Sequence, residues 1–175
     1  MRTSWLQALL VMACSLLIFG ETGEAAPKES KLWDEWFTIR VLPNKRYGYY
    51  HEKVTRIDDK IRYQEESWKS EEGFINEEQI GAFAQDDEDL TPLFFNFRSV
   101  YRATESLIDG NVKDWHLTVR IKRNGKEEPL IKKGIAKHTI LSTHFPIWIH
   151  RHVGELQPGK TKSFSAILED NLELN

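Results

Sequence analysis

The chain has 175 residues, 40% of them hydrophobic, with 24 basic and 27 acidic side chains and a formal net charge of −3. That balance supplies neither the basic footprint of a nucleic-acid binder nor a polybasic membrane anchor. A single cysteine, Cys14, excludes an intrachain disulfide.

The N-terminus opens with Arg2, runs apolar from Ala8 to Phe19, and then turns small and polar. An apolar core of 12 residues is shorter than the roughly 20 that a spanning helix needs. It fits the hydrophobic region of a secretory signal, and Gly23 and Ala25 supply the small side chains expected before a cleavage site. Residues 1–25 are therefore expected to be a signal peptide. Residues 26–175 then form a single exported β domain, periplasmic or extracellular. A lipoprotein signal with Cys14 lipidated is the competing reading, but it would leave apolar "SLLIF" on the mature chain. Without Arg2, Glu21 and Glu24 the chain keeps 23 basic and 25 acidic side chains, a net of −2. It also has no thiolate nucleophile and no cysteine ligand for a metal. About 150 residues can bury roughly 68–70% of their unfolded surface, so no disulfide framework is required.

After residue 30 no helical period persists beyond about two turns, whereas turn signals recur throughout. "WFTIRVLPNKRYGYYHEKVTRI" predicts two strands broken at Leu42-Pro43-Asn44, and "DDK" turns the chain into "IRYQEESWKS". "NEEQIGAFA" is open between a short helix and a further strand. "QDDEDLTP" offers Asp86, Asp87, Glu88 and Asp89 as oxygen ligands. It lacks the glycine and distal glutamate of a calcium loop, so a solvated turn is expected. "LFFNFRSVYRATESL" is followed by Asp109-Gly110, which reads as a turn. In "WHLTVRIKR", Trp115, Leu117, Val119 and Ile121 alternate with His116, Thr118, Arg120 and Lys122, the pattern of a half-buried strand. Asn124-Gly125 then predicts a two-residue hairpin. "EPLIKKGIAKHTILS" returns, and Pro158-Gly159 precedes a last strand in "KSFSAILED". About eight antiparallel strands in one meandering sheet are expected.

"HFPIWIHRH", residues 144–152, concentrates His144, His150 and His152 near His138. Imidazole is the commonest protein metal ligand, so metal binding has to be weighed. Pro146 would interrupt a ladder but suits a first helical turn, with Thr143 as a cap and Ile149, Val153 and Leu156 on one face. Helix and strand both remain open for residues 146–153, and proline favours the helix. On a helix, residues two apart diverge by about 200°, which separates His150 from His152. No metal site is therefore expected. A histidine-based metal-dependent enzyme, using His138, His144, His150 and His152, is kept as a third reading. GxSxG, GxGxxG, the P-loop and HExxH are all missing, so no cofactor and no catalytic residue are assigned.

Aromatic residues dominate what remains: Trp33, Trp36, Trp68, Trp115 and Trp148, five tyrosines, and Phe94, Phe95 and Phe97 in one run. These rings either fill a core or line an apolar cleft. The opening "WFTIRVLPNKRYGYYHEKV" resembles a group of exported bacterial β-domains in which a Trp-led strand is followed by a basic residue, Gly-Tyr and a second strand carrying His or Tyr. The matching positions are Trp36, Lys45, Gly48, Tyr49 and His51. "DLTPLFFNF" and "ELQPGKTKSFSAIL" are similar to two strand entries of the same group. Such domains often precede a transglutaminase-like cysteine peptidase, and their sheets are similar in outline to the open barrels of the LolA and LolB type of lipoprotein carrier. This sequence departs from them in lacking the peptidase domain and its cysteine. It also ends soon after the last predicted strand, which implies an unpaired sheet edge.

The combined expectation is a mainly β fold: a strongly bent antiparallel meander, an open or half barrel, with one short helix. The leading functional expectation is a non-catalytic binding protein of the bacterial envelope. It would hold a lipid, an acyl chain or another hydrophobic small molecule in the concave face, with Tyr49, Trp68, Trp115 and Trp148 as apolar contacts. The alternative is a protein-interaction module that binds an envelope partner through a free sheet edge.

Overall fold

The computed structural model describes residues 26–41, 45–170 and Leu172. The expected signal segment with Cys14, and the Leu42-Pro43-Asn44 turn, lie outside them. Seven long strands succeed one another as hairpins: β1 (Glu29–Val41), β2 (Lys45–Ile57), β3 (Lys60–Glu71), β4 (Phe74–Gln85), β5 (Pro92–Tyr101), β6 (Thr104–Lys113) and β7 (His116–Arg123). β8 (Lys126–Glu127) and β9 (Ile131–Gly134) both pair with β7. The sheet is antiparallel throughout and does not close into a barrel, as expected. "NEEQIGAFA", open between helix and strand in the sequence, lies within β4.

The side-chain period of two sorts residues to two faces. One inner row crosses the sheet as Val54, Tyr63, Ala82, Phe95, Gly110 and Val119. Five of these six are buried core residues and the sixth is a buried glycine. Two rows further along the strands, the same face carries Tyr50, Ser67, Glu78, Ser99, Ser106 and Arg123. The inner face is thus apolar at one end of the strands and polar at the other.

A second layer covers the apolar end. β10 (Thr139–Leu141) pairs in parallel with β11 (Ser165–Ile167), and between them come a 3-10 turn (Ser142–His144) and the helix α1 (Phe145–His152). The last predicted strand therefore corrects the meander: it leaves the main sheet and pairs with β10. The helical alternative holds for "HFPIWIHRH", with Pro146 in the first turn. Its buried face differs from the expected one, being Ile147, Trp148 and His152, while Val153 is 64% exposed. Nor does Thr143 cap α1: it lies in the 3-10 turn, where Glu169 accepts its N–H at 3.3 Å and its hydroxyl at 2.7 Å.

Asp109-Gly110 is not a turn. Both residues lie inside β6, and the chain reverses at Arg102-Ala103 instead. Glycine is needed at 110 for another reason: a Cβ there would lie 2.0 Å from the ring of Phe95. The hairpin is made by Arg102 at φ 47° and Ala103 at φ 65°, a two-residue turn of the mirror-image kind without glycine. Asn124-Gly125 turns as predicted, with φ 47° and 80°.

Candidate interaction surface

On the outer face, opposite the second layer, most strand positions are polar or charged. The apolar exceptions are Phe83 and Phe94, paired across β4 and β5, and a set of rings across β1, β2 and β3. Trp36 pairs with His51, and Tyr49 pairs with Trp68. The Trp36 and His51 rings are 4.4 Å apart and 4° from parallel; Trp36 and Trp68 are 6.2 Å apart and 14° from parallel. Tyr49 closes the set at 5.1 Å from Trp68. Near-parallel rings on neighbouring strands stand on the sheet as a cross-strand stack. His51 Nε2 lies 2.7 Å from the Asp34 carboxylate, and this contact holds Asp34 below the usual carboxylate range. The stack runs out to the sheet edge, where Trp36 is 61% exposed. On the inner side of the same edge Phe37 stacks on Tyr50 at 4.6 Å.

Among the described residues β1 pairs with β2 alone, so along its 13 residues the N–H and C=O groups of alternate residues face outward without a strand partner. β1 is one edge of the open sheet, and the short strands β8 and β9 stand at the other. The β1–β2 pairing shifts register at Lys31/Trp33 and again at Ile39/Arg40, irregularities common at sheet edges.

The four expected ligand contacts do not converge. Tyr49 and Trp68 belong to the outer stack. Trp115 sits in the two-residue turn between β6 and β7 at φ 59°, its carbonyl accepting the Ile135 N–H at 2.9 Å. Trp148 is buried in α1 against Phe164 at 4.6 Å and His152 at 4.5 Å. Sequence reading passed over Trp36, His51 and Asp34 as a unit. Its signal was the alternation of β1, which puts Asp34, Trp36 and Thr38 on one face.

The histidines also part. His138 is exposed on Asp89, 2.9 Å away, and His152 Nδ1 lies 2.8 Å from the Trp148 carbonyl. His144 is fully buried, 3.4 Å from the Ile61 carbonyl, and its burial pushes the imidazole down to about 4. Among the described residues no three His, Cys, Asp or Glu side chains are grouped to hold a metal ion. In the acidic run, Asp86 pairs with Arg56 at 2.5 Å and with Arg151, while Asp87 accepts the Thr91 N–H at 2.9 Å and hydroxyl at 2.7 Å. These carboxylates are spent on cations and a turn.

Two further clefts lie away from the ring stack among the described residues. An outer groove of about 610 Å³ crosses β3 to β6, lined by Arg62, Glu66, Phe83, Phe94, Arg98 and Asp109. The inner one, about 470 Å³, lies at the polar end where the second layer stops, among Glu52, Glu65, Lys69, Glu78 and Glu169. Burial raises the Glu52 carboxyl against the hydrogen bond it accepts from Trp33, and raises Glu169 against the Ser142 and Thr143 hydroxyls. Among the described residues no helix is long and apolar enough to cross a membrane.

Compared with protein-family models, with curated proteins and with solved structures, the chain matches none.

Proposed function

We propose that this chain is a non-catalytic protein-interaction module that receives a partner strand along β1. The observation that carries the proposal is the bare 13-residue edge, flanked on its two faces by the Trp36 and Phe37 stacks. Backbone groups of an edge strand supply affinity in β-augmentation, and side-chain contacts at alternate positions supply specificity. The inner face supports this over the hydrophobic carrier. Its apolar end is already packed by Ile140, Leu141, Ile147 and Ile167, and its open end is acidic. The leader-like N-terminus and the resemblance to peptidase-associated domains favour a partner in a bacterial envelope.

Site-specific photo-crosslinking in the producing cell tests the proposal. A photoreactive residue at Thr38 on β1 is expected to give one discrete protein adduct, and the same residue at Arg120 on β7 none. Equal, diffuse labelling from both positions would remove the edge as the binding site. Native mass spectrometry separates the competing idea, because a carrier would retain a small-molecule adduct that falls away on denaturation.

A further inference from the structure

Given that reading of β1, we propose that the partner strand is β1 of a second copy, paired antiparallel about a two-fold axis at Phe37. A symmetric edge-to-edge contact must be self-complementary, and the sequence of β1, "ESKLWDEWFTIRV", meets that demand in the register centred on Phe37. With Phe37 opposite itself, Asp34 faces Arg40 of the second copy, and the two-fold repeats the pair. Trp36 faces Thr38 and lies diagonal to Arg40, while Glu35 faces Ile39. No like charges are opposed. The inner Phe37–Tyr50 stack, 4.6 Å between rings, then continues into its counterpart. Centring on Glu35 would set two glutamates face to face, which destabilises a strand pair. Centring on Trp36 would leave Asp34 opposite Thr38 and Glu35 opposite Phe37, without a direct ion pair. Parity excludes the intermediate registers, since a one-residue slip would turn the outer face of one copy to the inner face of the other.

Charge exchange tests this on the full chain. Sedimentation velocity is expected to give a dimer for the wild type and monomers for Asp34→Arg and for Arg40→Asp, each of which opposes like charges. An equimolar mixture of the two variants is expected to recover the dimer, since the arginine introduced in one chain then faces the aspartate introduced in the other. Recovery also shows that each variant is folded. Amide exchange on the unsubstituted chain gives a second measure, with β1 protection rising with protein concentration. A dimer indifferent to both substitutions, or β1 amides that exchange alike at every concentration, overturns the proposal. A monomeric wild type that still gives the Thr38 adduct with another protein overturns the second copy and leaves the edge. A monomer with no adduct overturns both.

Discussion

Gly110 illustrates how one position can be set by a distant side chain. The ring of Phe95, fully buried on the neighbouring strand, lies where its Cβ would be. Gly110→Ala is expected to destabilise the fold by about 2–3 kcal/mol, because a packed core cannot absorb a methyl group without moving the ring. Urea denaturation measures the loss. The pair Gly110→Ala with Phe95→Leu should lose less than the sum of the single changes, the signature of a shared space. Ala103 carries the opposite lesson. Its φ of 65° costs an L-residue energy that glycine does not incur. Ala103→Gly is expected to stabilise by about 0.5–1 kcal/mol. That should appear as a thermal midpoint raised by about 2 °C.

Between elements, the contact that matters most is Glu169. This buried carboxylate receives the Ser142 and Thr143 hydroxyls and the Thr143 N–H, tying the segment after β11 to the 3-10 turn that leads into α1. A negative group at the start of a helical segment is also favoured by the exposed N–H groups there. Glu169→Ala leaves those donors without an acceptor and is expected to cost about 2–3 kcal/mol. Hydrogen exchange should show α1 losing protection before β3 to β6. Uniform loss across the molecule would contradict the tether.

The whole molecule rests on two layers, and His144 is wedged between them, ring near Tyr63 and Nε2 toward Ile61. Its folded value of about 4 lies below the ordinary 6.5. The unfolded chain therefore takes up the proton first, so this contribution to stability is complete above pH 6.5. It is lost as the pH falls toward 4, in total about 3 kcal/mol by linkage. Glu169 has the opposite sign: its raised value makes its contribution largest in acid and smaller as pH rises through that value. Comparing wild type with His144→Gln cancels the carboxylate. Their stability difference is expected to grow in favour of wild type by about 3 kcal/mol from pH 4 to 6.5. A difference that stays flat across this range would mean the imidazole is not buried neutral.

Much of this was legible in the chain. The alternation of Leu117, Val119 and Ile121 set the faces of β7, Asn124-Gly125 set its hairpin, and Pro146 set the helix, because each depends on neighbours within a few residues. The turn at Arg102-Ala103 was not, since pairing along β5 and β6 imposes a backbone that neither side chain prefers. Gly110 misled for the same reason: its cause is Phe95, distant in sequence. The parallel β10–β11 pair and the contact of Glu169 with Ser142 and Thr143 likewise join segments that local pattern cannot connect. The aromatic residues could be counted from the sequence, but their division needed the folded sheet. Strand register put Tyr49 and Trp68 beside Trp36 outside, and the packing of α1 buried Trp148 against Phe164. The sequence by itself determined a bent antiparallel β domain with one short helix, through side-chain period and turn chemistry. Only the tertiary structure decided which rings meet at the β1 edge and that His144 and His152 are the buried histidines among the described residues, because each follows from long-range packing.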